Sequence, residues 1–119
     1  MIHDDPAATA RVILQHMSPE EGEAVVKKFA RHSYVSFINE ITFAGYKDIP
    51  VSYLLCEEDL CIPAEVQRVG IDMIEKESGR KVDVTSIKAD HCPNWTAEKQ
   101  TIEWILDVTK KVQESQTSA

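Results

Sequence analysis

The sequence predicts an α/β fold in which two helices precede a βαβα unit with two parallel strands. Residues 51–56, VSYLLC, form an apolar run without alternation, which is how a strand covered on both faces reads. Residues 81–89, KVDVTSIKA, form a second β-branched run. Between the two, Pro63 opens and Gly79 closes a stretch of helical periodicity, and another helical pattern follows the second run.

Taken in order, Pro6 is expected in the first turn of a helix running to about Met17, with Ala10, Val12, Ile13, Leu14 and Met17 on its apolar face. Ser18-Pro19-Glu20-Glu21 is a capping box, so a second helix starts there. It is expected to reach about Ala30, to bury Ala24, Val25, the Lys28 stem and Phe29, and to pair Glu23 with Lys27; Gly22 weakens it slightly. Residues 33–46, SYVSFINEITFAGY, are aromatic and β-branched and admit either a strand or a short third helix. Asp48-Ile49-Pro50 marks a boundary, because proline biases the residue before it toward extended geometry. The helix from Pro63 to about Ser78 is expected to carry Val66, Val69, Met73 and Ile74 on one, apolar face. In the second strand Val82 and Val84 face one side and Asp83, Thr85 and Ile87 the other, which suits a position near the sheet edge. Residues 90–95 are a turn, and Thr96 is expected to cap a last helix through Ile102, Ile105, Leu106, Val108 and Val112. The chain thus divides into a helical, lid-like segment over 1–48, the βαβα part over 49–113 and a frayed tail over 114–119.

A formal charge of −7 repels phosphate backbones and anionic headgroups, so neither nucleic acid nor a membrane surface is an expected partner. No apolar run approaches the roughly 20 residues that span a bilayer, and the start, MIHDDPAATA, lacks a basic or apolar leader, so a cytoplasmic location is expected. Cys56, Cys61 and Cys92 form neither a CxxC pair nor an even disulfide framework. Adjacent His91 and Cys92 would strain a tetrahedral site, so the cysteines read as small hydrophobes and no metal or cofactor is expected.

The chemistry lies in the two turns that follow the strands. In parallel sheets working residues gather at the carboxyl ends of strands, which places Asp59 and His91 on one rim. A carboxylate that accepts from one imidazole nitrogen fixes the tautomer and leaves the other nitrogen as a general base. An aspartate after a strand is also a common turn residue, and a histidine in a turn a common surface group. His3, His16 and His32 are expected to be solvated, and Glu57 and Glu58 to form a solvated acidic rim.

The run IPVSYLLCEEDLCIP, followed by ADHCPNWT and a terminal helix, resembles the carboxyl-terminal part of α/β-hydrolase fold enzymes, in particular the small esterase-like members common in fungi. MSPEEGEAVVKKFARHSYVSF is similar to the end of their helical cap. The resemblance implies a partial α/β-hydrolase fold, Asp59 as triad acid and His91 as general base, and descent from ester or lactone hydrolases of small organic substrates, with secondary metabolism as the expected setting. Cys92-Pro93 stands where the family usually has a serine or similar small residue before proline, and Asp90 where it often has glycine. The latter bears on the turn, since aspartate tolerates positive φ less readily than glycine.

The family's nucleophile sits in a G-x-S-x-G elbow, and neither that motif nor an HGGG-like oxyanion loop occurs here. Ser18, Ser33, Ser36 and Ser52 fall in caps, apolar segments or a strand, and Cys92 would have to fold back on its neighbour's ring. Alone, the chain is therefore expected to be inactive: a truncated product, a fragment, or one half of an enzyme whose other half bears the nucleophile. The alternative is a non-catalytic interaction module that completes its open strand edge with a partner or by self-association.

Overall fold

The computed structural model describes residues 5–118. Helix α1 (Pro6–Ile13) starts at Asp5, whose carboxylate accepts from the Ala8 amide at 2.9 Å. Helix α2 (Pro19–Val26) starts at Ser18, whose hydroxyl accepts from the Glu21 amide at 3.3 Å and donates to the Glu21 carboxylate at 2.9 Å. Glu21 thus closes the expected box on the hydroxyl. Both helices are shorter than their periodicity suggests, stopping at Ile13 and Val26.

The two helices pack on each other through Ala10, Ile13, Leu14, Val25 and Val26. A methyl group on Gly22 would stand 3.1 Å from the Ala10 Cβ, so glycine there lets the helices approach closely. Val25 is buried as expected, whereas Ala24 and Lys28 are exposed and the second buried position is Val26. Glu23 and Lys27 pair at 2.6 Å. The ambiguous segment forms no strand: α3 (Val35–Ile38) is a single turn, followed by a 3-10 turn at Gly45–Lys47.

Strand β1 (Ser52–Cys56) pairs in parallel with β2 (Asp83–Ile87), Ser52 opposite Asp83 and Cys56 opposite Ile87. Helix α4 (Ala64–Ser78) links them and ends at Gly79, whose φ of 67° is the left-handed geometry that glycine adopts without a side-chain clash. The mixed α/β character and the parallel pair are as the sequence predicts. Beyond β2 come a short turn of helix, α5 (Pro93–Thr96), and α6 (Glu98–Thr117). Thr96 lies inside α5 and does not cap α6, whose N-cap position is Ala97 with no side-chain hydrogen bond. Helix α6 continues to Thr117, past residue 114 where the tail was expected to begin.

The buried face of α4 differs from the expected one. Gln67 and Ile71 are buried and Ile74 packs beside them on Leu55 and Val82, while Val66, Val69 and Met73 face outward. The helix is apolar on two sides, and sequence periodicity alone does not say which side meets the sheet. On the other sheet face α6 is held by a 3.0 Å ion pair from Lys111 to Asp83, yet none of its residues is buried. The radius of gyration, 16.5 Å, exceeds the roughly 13–14 Å of a compact domain of this length, as expected where such faces stay open.

Gln67 supplies what a neighbouring strand would. Its amide accepts from the Cys56 N–H at 3.1 Å and donates to the Cys56 carbonyl at 2.9 Å, a peptide-like pairing at the end of β1, on the side away from β2. It also contacts the Ile62 carbonyl at 2.8 Å. Gln67→Ala leaves these buried backbone groups unpaired and is expected to cost about 2–4 kcal/mol in urea unfolding, against less than about 0.5 kcal/mol for the exposed Val69→Ser.

Candidate functional site

Strand β1 hands over to a turn at Glu57, and the parallel ladder continues one step further: Glu57 N–H donates to Ile87 at 2.9 Å and Glu58 N–H to Ala89 at 3.1 Å. The two turns therefore run side by side. Asp59, in the first, is 8% exposed. Its Oδ1 accepts from the amides of Cys61 at 2.8 Å and Ile62 at 2.9 Å, an Asx-type turn that locks the carboxylate. Its Oδ2 lies 2.9 Å from His91 Nδ1. The pair read from the sequence is thus brought together, with every carboxylate oxygen engaged and one imidazole nitrogen committed.

Asp90, beside the histidine, points elsewhere. Fully buried, it accepts from the Cys92 amide at 3.1 Å, the Thr96 hydroxyl at 2.6 Å and the His16 amide at 3.2 Å. This is where the Thr96 hydroxyl goes. The turn needs no left-handed residue, since no non-glycine residue among those described has positive φ, so aspartate fits where glycine is frequent in the resembled family.

His16 is not the free surface residue expected from sequence. Its Nε2 lies 2.6 Å from a Glu58 carboxylate oxygen, and the Gln15 amide reaches the Glu58 carbonyl at 2.5 Å. Glu58 is accordingly a tie between the end of α1 and the acid turn. His32 sits on the outer surface with Nδ1 3.1 Å from the Ser36 hydroxyl, but that hydroxyl donates to the Ser33 carbonyl at 2.7 Å. Without a carboxylate to orient the ring, the contact has the distance of a catalytic pair and none of its setting. His3 lies outside the described residues.

His91 borders an apolar cavity of about 720 Å³ between the rim and the helical segment, with Val12, Phe29, Phe37, Ile62 and Cys92 in its walls. Burial pushes the Cys92 thiol up to about 11, with the carboxylates of Asp90 and Asp59 acting in the same direction. Burial likewise raises Cys56 to about 11, and Cys61 is raised by burial and by Asp59. None of the three has the electropositive setting that activates a thiol. Among the described residues no three His, Cys, Asp or Glu side chains are grouped to hold a metal ion. Among them, too, no helix is long and apolar enough to cross a membrane.

No family model matches the chain, and no solved structure matches it. A protein of a Phoma species, named Probable hydrolase R7, is 37% identical over 95 residues. The chain resembles a hydrolase. The match takes in 80% of this chain and 39% of that protein, so the chain spans about two fifths of the length of the curated relative it matches. This likeness supports a hydrolase relationship.

Gln67 and Asp90 were the site-supporting residues that spacing did not single out. Gln67 did leave a signal: it stands at i, i+4, i+7 with Ile71 and Ile74, a lone amide on an apolar stripe. The thiol environment gives a direct check. Alkylation of Cys92 by iodoacetamide should rise about tenfold per pH unit up to pH 10 and level off near the raised value of about 11. A plateau near pH 7 would mean an activated thiol and would reverse the reading of Cys92 as inert.

Proposed function

We propose that the chain carries the acid and the histidine of an α/β-hydrolase-like triad, Asp59 as acid and His91 as general base. The reaction is hydrolysis of an ester or lactone of a small organic molecule, with the nucleophile supplied from outside these 119 residues. The observation that carries this reading is the 2.9 Å contact between His91 Nδ1 and Asp59 Oδ2, with the other carboxylate oxygen fixed by two backbone amides.

The chemistry follows from that arrangement. A carboxylate accepting from Nδ1–H leaves the lone pair on Nε2, which takes the proton of an attacking hydroxyl. The imidazolium so formed is stabilised by Asp59 and returns the proton to the leaving alkoxide. A water molecule activated by the same nitrogen then releases the acid. Likeness to a protein named as a probable hydrolase supports the reaction class. The cavity beside His91 supports an organic substrate over a polymeric or highly charged one.

A second reading is favoured by a different observation. Among the described residues the sheet has two strands and leaves one edge of β1 open, and Val66, Val69 and Met73 of α4 lie exposed. Such a surface suits a non-catalytic module that completes its sheet against another chain or a second copy.

Enzymology separates the two. The chain alone should hydrolyse p-nitrophenyl butyrate no faster than buffer. Co-expressed with the part of the Phoma protein that the match does not cover, it should gain turnover that His91→Ala or Asp59→Asn lowers roughly ten-thousand-fold. Turnover that survives both substitutions would remove these residues from the mechanism. A reconstituted pair that binds tightly yet stays inert favours the module.

A further inference from the structure

We infer that the open edge of β1 pairs with the same edge of a second copy of this chain, antiparallel about a two-fold axis at Tyr53. The inference rests on the interaction reading above and deepens it, naming the partner and the register.

Parallel pairing sends the backbone groups of alternate β1 residues to opposite edges. Asp83 N–H donates to the Val51 carbonyl at 3.0 Å and Glu57 N–H to the Ile87 carbonyl at 2.9 Å, so the odd-numbered residues from 51 to 57 face β2. The N–H and C=O groups of Ser52, Leu54 and Cys56 therefore face the open edge. Cys56 is closed off there, its N–H and carbonyl held by the buried Gln67 amide at 3.1 and 2.9 Å. At the other end stands Pro50, which has no N–H to offer. Between these two stops, the N–H and C=O groups of Ser52 and Leu54 have no backbone partner among the described residues.

An edge bounded in this way is complementary to itself. With Ser52 opposite Leu54 of the second copy, and Leu54 opposite its Ser52, each opposed pair exchanges two N–H···O bonds. Tyr53 then faces Tyr53 across the axis in the closer, non-hydrogen-bonded kind of pair, where two aromatic rings add stability. Cys56 falls opposite Pro50, so the two residues with nothing to exchange meet each other. A register that sets Ser52 against Ser52, or Leu54 against Leu54, keeps a single opposed pair and wastes the remaining groups on Pro50 or on the occupied Cys56. A parallel arrangement has no two-fold axis. The antiparallel register is the isologous contact that identical chains most often form.

Charge favours the same register. Arg80 Nη2 donates to the carbonyls of Lys47 at 2.8 Å and Ile49 at 3.1 Å, and the guanidinium meets no carboxylate among the described residues. Glu57, exposed where β1 ends, meets no cation among them. Antiparallel pairing about Tyr53 sets Glu57 opposite Ile49 of the second copy, beside which that copy's Arg80 stands. Two unmatched and opposite charges are thereby brought together on each side of the axis. The formal charge of −7 on each copy opposes association, which keeps the dimer in exchange with the monomer. The pairing uses the backbone groups that any other incoming strand would need, so dimer formation and completion of the sheet by a different chain exclude each other.

Sedimentation velocity of the whole chain over about 10–500 µM tests this, and should show a reversible rise from monomer to dimer. Ser52→Pro removes a donor from the open edge and none from the β2 ladder, and should weaken the dimer at least tenfold with the circular dichroism of the fold retained. Glu57→Arg should weaken it about fivefold, and the double swap Glu57→Arg with Arg80→Glu should restore it. Register is read by cross-linking: with the three native cysteines replaced by alanine, Tyr53→Cys should oxidise to a disulfide-linked dimer, and Leu106→Cys on the outer face of α6 should not. A chain that stays monomeric throughout overturns the inference, as does a dimer that cross-links equally through Leu106→Cys. A dimer indifferent to Ser52→Pro and Glu57→Arg but lost in Val69→Lys or Leu106→Lys also overturns it, while leaving the interaction reading in place with a helix face as its surface. Tight binding of the remaining part of the Phoma protein by a chain that never dimerises likewise defeats the second copy alone.

Discussion

Parallel pairing of Ser52–Cys56 with Asp83–Ile87, Cys56 opposite Ile87, brings both strands to an end at the same level. Two further ladder bonds, from Glu57 to Ile87 and from Glu58 to Ala89, carry that alignment into the turns. A slip of one residue would turn every side chain of one strand to the opposite face and part the two turns. Because the register holds, two short turns deliver a carboxylate and an imidazole to within 2.9 Å of each other. The Asx-type bonds on one side of Asp59 and the three bonds to Asp90 on the other then stiffen the turns locally. Site geometry in this chain is therefore a consequence of sheet register first and of turn chemistry second.

The same sheet shows where the chain leaves its surface unfinished. Gln67 pairs with Cys56 at the end of the open edge as the peptide of a neighbouring strand would, but among the described residues the rest of that edge has no strand beside it. The outward face of α4 and most of the apolar side of α6 are likewise uncovered: Val69 is 68% exposed and Leu106 64%. Single exposed hydrophobes are ordinary, whereas aligned apolar stripes on two helices are the kind of surface that association would cover. This is the physical common ground between the catalytic and the interaction readings. Both readings supply a covering surface and differ in what it brings.

What the sequence made legible follows the range of the interactions involved. Strand runs, the Ser18 box, the Gly79 stop and the Asp59 and His91 turns are each encoded within a few neighbours, and the structure has them where the residues imply. The choice of face on α4 was not local. Val66, Val69 and Met73 are as apolar as Ile71 and Ile74, and only the sheet decides between them. His16 meets Asp90 across 74 positions and Gln15 meets Glu58 across 43, distances at which no periodicity speaks. Thr96 reads as a helix cap because its type suits one, yet a buried carboxylate six residues earlier claims its hydroxyl.

Orientation of the His91 ring by Asp59 is the point on which the proposed chemistry depends. Long-range 1H–15N NMR of the neutral imidazole reports which nitrogen carries the proton. The Nδ1–H tautomer is expected, with that proton shifted downfield by the carboxylate and the shift lost in Asp59→Asn. A neutral ring protonated on Nε2, unchanged by the substitution, would contradict it.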